Sequence, residues 1–389
     1  MKVQPPPAAP SGCSTSAGHT SLATFAGPRK ARPIDRGSLA LRLATLCLGP
    51  VWLSGCVGGE AVGSFGGVAG ADGSSADGAG GGGGGGGVAT QHRKPGCLDG
   101  SLHEPGPTAD ASIEALVAGY DKSQALQLVV EVLALRYPTG RFLVEEGIAK
   151  GQQNCFELFL PASQRGSAKQ VLDRIEVLVH ECGHFYDLAK GGFSGAHYHI
   201  ADGVTRTCKG GSSQFGGKTF ARSLLQGDAY APLRPDCAKG KGSHGCDSYA
   251  KIYLSGDPKD QKFESGDQGF DMLHEETVQY VHSLATQMGM RDRVIGATSA
   301  RDGILTFLWY TERYLRMARL DYPEVYTLLR DDPCWREAIL LTWGRAWRFL
   351  AMTADEVKLG IDDDQLVALV EDPELLHEIE LLRIAEGCK

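Results

Sequence analysis

Residues 180–187 read His180-Glu181-Cys182-Gly183-His184-Phe185-Tyr186-Asp187, and the first five decide what kind of fold must surround them. Side chains four apart lie on one face of an α-helix, so His180 and His184 can both reach a single ion. Glu181, between them, can act as general base on metal-bound water. A catalytic zinc ion normally takes three protein ligands and keeps one position open for water. The pentad therefore predicts a helix, a Zn2+ cofactor and a third ligand supplied from elsewhere in the chain.

Working outward, Val171, Ile175, Leu178, Cys182 and Phe185 recur at helical spacing and give this helix a buried face. The helix is expected to run from Ser167 to Lys190. Ser167 and Gln170 form a capping box at its start, and Gly191-Gly192 stop it. Gly183 costs a helix ~1 kcal/mol relative to alanine, so its presence points to close approach by another backbone or a ligand.

The third ligand decides the family. A metzincin would need Gly at 187 and His at 190, where this chain has Asp187 and Lys190, and a thermolysin-type Asn-Glu pair is absent because Asn154 is the only asparagine. What remains is a downstream helix over residues 271–284, with Phe270, Leu273, Val278, Val281, Leu284 and Ala285 as its packed side and the acidic pair Glu275-Glu276 on another. His180 to Asp187 resembles the HExGHxxD active-site helix of lethal-factor-like gluzincin metallopeptidases, and Glu275 to Leu284 resembles the acidic helix that supplies their third ligand. That resemblance implies Glu276 as the ligand and Glu181 as the catalytic base. It also implies a zincin-like fold, with Tyr280 standing where the family tends to have a second acidic group.

Glu275, His274, His197 and His199 remain alternatives for the third ligand, since His197-Tyr198-His199 on a strand would put both imidazoles on one face. Asp187, three residues after His184, is a candidate to orient an imidazole as an outer acceptor. Tyr249 to Leu254 alternates as a half-buried strand would, and a tyrosine from it is a candidate to stabilise an oxyanion.

The chain has 389 residues and 52 glycines, of which 17 fall in the 40 positions from Val57 to Gly96, including an unbroken run from Gly80 to Gly87. Such a stretch cannot bury enough apolar surface to fold and is read as a disordered tether. Before it, residues 29–56 read as a secretory leader: a basic segment, an apolar run from Leu43 to Leu53, then small residues. Leu53-Ser54-Gly55-Cys56 resembles the lipobox of bacterial lipoproteins, which implies cleavage before Cys56 and lipid attachment to its thiol. The expected organisation is thus residues 1–55 as a lipoprotein-type signal peptide, 56–96 as lipidated cysteine and linker, and 97–389 as the zinc metallopeptidase-like domain. The implied location is the bacterial cell envelope, anchored by lipid and facing periplasm or cell surface.

The formal charge is −8 overall, and residues 1–55 contribute 6 − 1 = +5, leaving −13 for the rest. No basic stripe offsets that acidity, which excludes a nucleic-acid partner and leaves a protein or peptide substrate. Setting Cys56 aside leaves eight downstream cysteines, an even number consistent with disulfides in an exported domain. Cys208, Cys237 and Cys246 lie near one another in a Gly/Lys/Ser-rich region and suggest a local staple.

Coarsely, a helix over residues 111–136 precedes extended runs at Arg141–Glu146 and Cys155–Leu160. Residues 191–247 read as loops, and the chain from Ser265 onward reads as helical, with a second capping box at Thr353 and Glu356 and with Trp335, Trp343 and Trp347 on a packed face. The fold class is α+β, mostly helical with a small sheet. The function this supports is membrane-anchored, zinc-dependent endopeptidase activity. The alternative is a zinc-binding surface lipoprotein that binds a partner without turnover.

Overall fold

The computed structural model describes residues 92–192, 195–209, 220–230, 247–257, 259, 260, 262 and 264–388. The leader, Cys56, the glycine-rich stretch to residue 91, Cys237 and Cys246 lie outside them. Sixteen regular elements follow one another in the described chain. They are α1 Leu98–Ser101, α2 Glu114–Ala118, α3 Ala125–Arg136, α4 Pro138–Lys150, α5 Cys155–Phe159, α6 Ala168–Leu172, α7 Ile175–Gly191, β1 Gly195–Ala201, β2 Val204–Lys209, α8 Ala250–Tyr253, α9 Phe270–Gly289, α10 Ala300–Asp321, α11 Pro323–Asp331, α12 Pro333–Met352, α13 Asp363–Val370 and α14 Pro373–Ala385. The arrangement is α+β, predominantly helical with one antiparallel pair of strands among the described residues. No helix among the described residues is long and apolar enough to cross a membrane.

The centre of the core is α9, which packs against α7, α10, α12 and β1 at once. Its expected apolar side, Phe270, Leu273, Val278, Val281, Leu284 and Ala285, is buried throughout. Most of the rest of the helix is buried as well: α7 covers Glu275, Glu276 and Gln279, while His274 and His282 are enclosed by β1 and α12. Enclosing that many polar groups is stable only where they bond to one another, and most of them do so at the site described below. Trp335 and Trp343 of α12 are fully buried and Trp347 nearly so, as their spacing predicts.

Several local expectations are corrected. Arg141–Glu146 lies within α4 and Cys155–Leu160 falls largely in α5. Pro138 starts α4 with a backbone angle suited to a first helical turn, and Leu143, Val144 and Gly147 then recur on its buried side. Asn154 caps α5 by accepting from the Glu157 backbone N–H at 3.3 Å. The helix expected from Ser167 to Lys190 is two, α6 and α7, separated at Asp173-Arg174; no glycine or proline marks the break. Ser167 does cap the first, accepting from Gln170 N at 3.3 Å, and Gly192 caps the end of the second.

Residues 195–209, read as loop, form the β-hairpin, with Ala201 paired to Val204 across an Asp202-Gly203 turn. Tyr249–Leu254 is a short helix rather than a strand, closed by Leu254 N donating to Ala250 O. Thr353 ends α12 instead of starting a helix: its hydroxyl donates to Phe349 O at 2.7 Å.

Three disulfides tie the described chain together, Cys97–Cys388, Cys155–Cys182 and Cys208–Cys334. Cys208 is therefore bonded to the start of α12 and not to the local staple its neighbourhood suggests. The folded chain also reaches back before Cys97. The His92 ring is buried and stacks on Trp347 with centroids 3.6 Å apart, and its carbonyl accepts from Trp343 Nε1 and Arg383 Nη2.

Candidate metal centre

The site is made where α7 crosses α9. One turn of α7 presents His180 and His184, and α9 presents Glu276 opposite them, so three buried side chains meet across the helix pair. The Nε2 atoms of His180 and His184 are 3.0 Å apart, and Glu276 Oε2 lies 3.6 Å from the first and 3.4 Å from the second. Ligand bonds of about 2.0 Å meeting near the tetrahedral angle would set such atoms about 3.3 Å apart. These edges bracket that value. Glu276 Oε2 is buried, faces both imidazole nitrogens, and meets no other hydrogen-bond donor at bonding geometry among the described residues. The group could hold a metal ion, and among the described residues it is the one group of three or more His, Cys, Asp or Glu side chains that could.

The other nitrogen of each ring is fixed. His184 Nδ1 and Glu275 Oε2 form a buried charge-assisted hydrogen bond, and His180 Nδ1 lies 3.0 Å from Ser283 Oγ. A partner at Nδ1 leaves Nε2 of the same ring facing the metal position, where a bound ion would take the place of a proton. Glu275 is in turn held by Gln279, whose Nε2 donates to Glu275 Oε1 and to Asp187 Oδ2, both at 3.0 Å. Burial disfavours charge on His184, yet Glu275 and Glu276 beside it raise its pKa well above the ordinary imidazole value. For Glu276 burial acts upward, and the two histidines outweigh it and hold the carboxyl well below its usual range. The pocket is thus built to favour net positive charge at its centre.

Asp187, the candidate outer acceptor for an imidazole, takes its hydrogen bonds elsewhere: its carboxylate accepts from the His199 backbone N–H at 3.0 and 3.2 Å and from Gln279, lies 3.9 Å from His197 Nε2, and connects to His184 through Gln279 and Glu275. The alternatives for the third ligand fall elsewhere. Glu275 is the partner of His184 Nδ1. His274 is buried among Phe270 and Tyr198, with Thr342 Oγ1 at 3.4 Å. His197 bonds Thr207 across the hairpin at 2.7 Å, and His199 stacks on Phe142 at 4.6 Å. Glu181 is buried on α7, one residue beyond His180 and three before His184, which places its Cβ on the flank of the ligand face.

A tyrosine group borders the site. The Tyr280 ring meets His180 edge-on with centroids 4.9 Å apart, and its hydroxyl pairs with Tyr253 OH at 2.9 Å. Tyr249 packs edge-on against Tyr280, and its hydroxyl donates to Ser299 Oγ at 3.4 Å. Burial keeps these phenols protonated: it pushes Tyr280 well up and Tyr249 up to about 12.

Ser283 and Gln279 were not singled out from the sequence. The signal was available, because Glu275, Glu276, Gln279, Tyr280 and Ser283 recur at three- and four-residue spacing and so share a helix face. Gly183 gains its explanation there too. A Cβ built on it would overlap the Gln279 amide, so the glycine admits a side chain of the neighbouring helix and not a ligand. Comparisons with protein-family models, with curated proteins and with solved structures find no match.

Proposed function

We propose that the chain is a zinc-dependent endopeptidase with a zincin-like arrangement, in which His180, His184 and Glu276 hold the ion and Glu181 is the general base. The observation that carries this reading is the convergence of two imidazole nitrogens and a buried carboxylate oxygen at ligand-edge distances, with both Nδ1 atoms already engaged. Two nitrogens and one oxygen are the donor set of the His2Glu class of catalytic zinc sites. A zinc ion held there supplies Lewis acidity, polarising a carbonyl and bringing water towards ionisation near pH 7.

Within that frame, Glu181 accepts the proton of the attacking water and passes it to the leaving amine. A phenol of the Tyr280–Tyr253 pair donates to the carbonyl oxygen as negative charge gathers on it, which is the role a preorganised donor serves in acyl transfer. Glu275 and Ser283 hold the imidazoles in register. The substrate class is a protein or peptide. The lipobox at Leu53–Cys56 supports an envelope location, with the glycine-rich stretch as a tether that lets the domain reach substrate away from the membrane surface.

The test is hydrolysis of denatured casein with and without 1,10-phenanthroline, together with Glu181→Gln. Chelator-sensitive cleavage, abolished in a Glu181→Gln protein that still holds zinc, supports the assignment. Cleavage by that variant at the wild-type rate defeats the role given to Glu181. One observation favours a second reading, a zinc-holding surface lipoprotein without turnover: all three ligands are buried, His180 most exposed at 7%. Stoichiometric zinc with no cleavage of any peptide would establish that reading instead.

A further inference from the structure

Cys182 is the middle residue of the motif, two positions from each ligand histidine, and side chains two apart on a helix point to opposite sides. Its sulfur is bonded to Cys155, the first residue of α5, and both cysteines are fully buried. α5 packs against α4 as well as α7, and α4 lies close along α7: a Cβ on Gly147 would overlap the Cys182 carbonyl oxygen. One side of α7 is therefore covalently fixed at the height of the ligands, and the other side carries those ligands to α9.

The geometry makes this placement consequential. A side-chain tip about 5–6 Å from a helix axis moves about 1 Å for each ~10° that the helix turns about that axis. Metal ligands must hold their distances to within ~0.2 Å. Non-covalent packing of Leu178 and Val179 resists such rotation only through many weak contacts, whereas the Cys155–Cys182 bond resists it directly at the residue between the ligands.

We infer that the Cys155–Cys182 disulfide is a positioning bond for the metal centre, so that metal affinity depends on the oxidation state of this one pair. The inference rests on the metal-site reading above. Reduction by a dithiol such as dithiothreitol delivers two electrons and two protons, opens the S–S bond to two thiols and closes the reductant into its own cyclic disulfide. A chain folded with Cys155 and Cys182 as thiols would keep the helix pair and bind the ion loosely. The other two disulfides stand apart from α7. Cys97–Cys388 joins the two ends of the domain across 291 residues, and Cys208–Cys334 joins β2 to the start of α12.

The experiment uses the full chain as wild type, as Cys155→Ala/Cys182→Ala and as Cys97→Ala/Cys388→Ala. Zinc affinity is measured by competition with a chromophoric chelator, and coordination by the visible absorption of cobalt(II) bound in place of zinc. The expected result is at least a tenfold loss of zinc affinity and an altered cobalt spectrum in the first variant. The second should melt at lower temperature yet keep its affinity within about twofold and its cobalt spectrum unchanged. Equal losses in both variants, or none in either, overturn the inference by showing that the bond supports only general stability. Should the Ala/Ala variant unfold, Cys155→Val/Cys182→Ala, which refills the lost sulfur volume, is read by the same criteria. A wild-type protein that binds neither zinc nor cobalt defeats the metal-site reading itself, a different outcome from wild-type binding that survives loss of the bond.

Discussion

Glu275 accepts a buried hydrogen bond from His184 Nδ1, while its neighbour Glu276 points an oxygen at Nε2 of the same ring, 3.4 Å away. Adjacent carboxylates thus grip one imidazole from both nitrogens with different jobs. Glu276→Ala should abolish measurable zinc binding, because it removes a ligand. Glu275→Ala should keep the site and weaken it by about 10–100-fold, the usual consequence of losing the partner that orients a ligand imidazole. Competition titration with a chelator separates the two. A Glu275 variant that loses zinc altogether while Glu276→Ala retains it would reverse the assignment.

Gly183 and Gln279 form a steric pair with a predictable sign. Alanine at 183 should gain ~1 kcal/mol of helix propensity, but its methyl displaces the Gln279 amide from Glu275 and Asp187. Losing two buried hydrogen bonds to carboxylates costs more than that gain, so Gly183→Ala should destabilise by ~1–3 kcal/mol in urea unfolding. In the Gln279→Ala background the same change should be neutral or mildly stabilising. A full penalty in both backgrounds would place the cause elsewhere.

The amino-terminal boundary is open to a direct check. His92 stacks on Trp347, its Nε2 is 2.9 Å from Glu371 Oε1, and its carbonyl serves both Trp343 and Arg383. A chain that starts at Cys97 should therefore be less stable than one that starts at Gln91 by ~2–4 kcal/mol, reflecting one buried ring and two buried carbonyl acceptances. Equal melting temperatures for the two chains would restore the later boundary.

The motif was legible because its pattern is local: His180, Glu181 and His184 need only one helix, whereas the choice of Glu276 over Glu275 came from the family resemblance and not from the helix pattern. What surrounds it was less so. Arg141–Glu146 and Cys155–Leu160 are runs too short for periodicity to separate strand from buried helix, and Pro138 and Asn154 were the better guides. The hairpin at residues 195–209 carried a clear sign in Asp202-Gly203, the two-residue turn that joins antiparallel strands, but the surrounding Gly and Ser residues masked it. Pairings such as Cys208 with Cys334 span 126 residues and depend on how β2 meets α12, which no local pattern encodes.

Glu312 offers a test of pH dependence away from the site. It lies on α10, fully buried, and neither carboxyl oxygen has a hydrogen-bond partner among the described residues. Burial, reinforced by Asp372 and Glu378, raises its pKa well above the usual carboxylate range. A raised folded-state pKa means that the folded protein binds more protons than the unfolded chain, so this residue lowers stability as pH rises above its unfolded value of 4.5. Glu312→Gln removes the titration and keeps the shape. Its stabilising effect should be near zero at pH 4.5 and grow by about 1.4 kcal/mol per pH unit until the folded-state pKa is reached. Urea unfolding of both proteins at pH 4.5 and pH 8 measures the difference. A gain of the same size at both pH values would mean that the side chain is stabilised or strained by something other than its charge, and the argument from its unpartnered burial would fail.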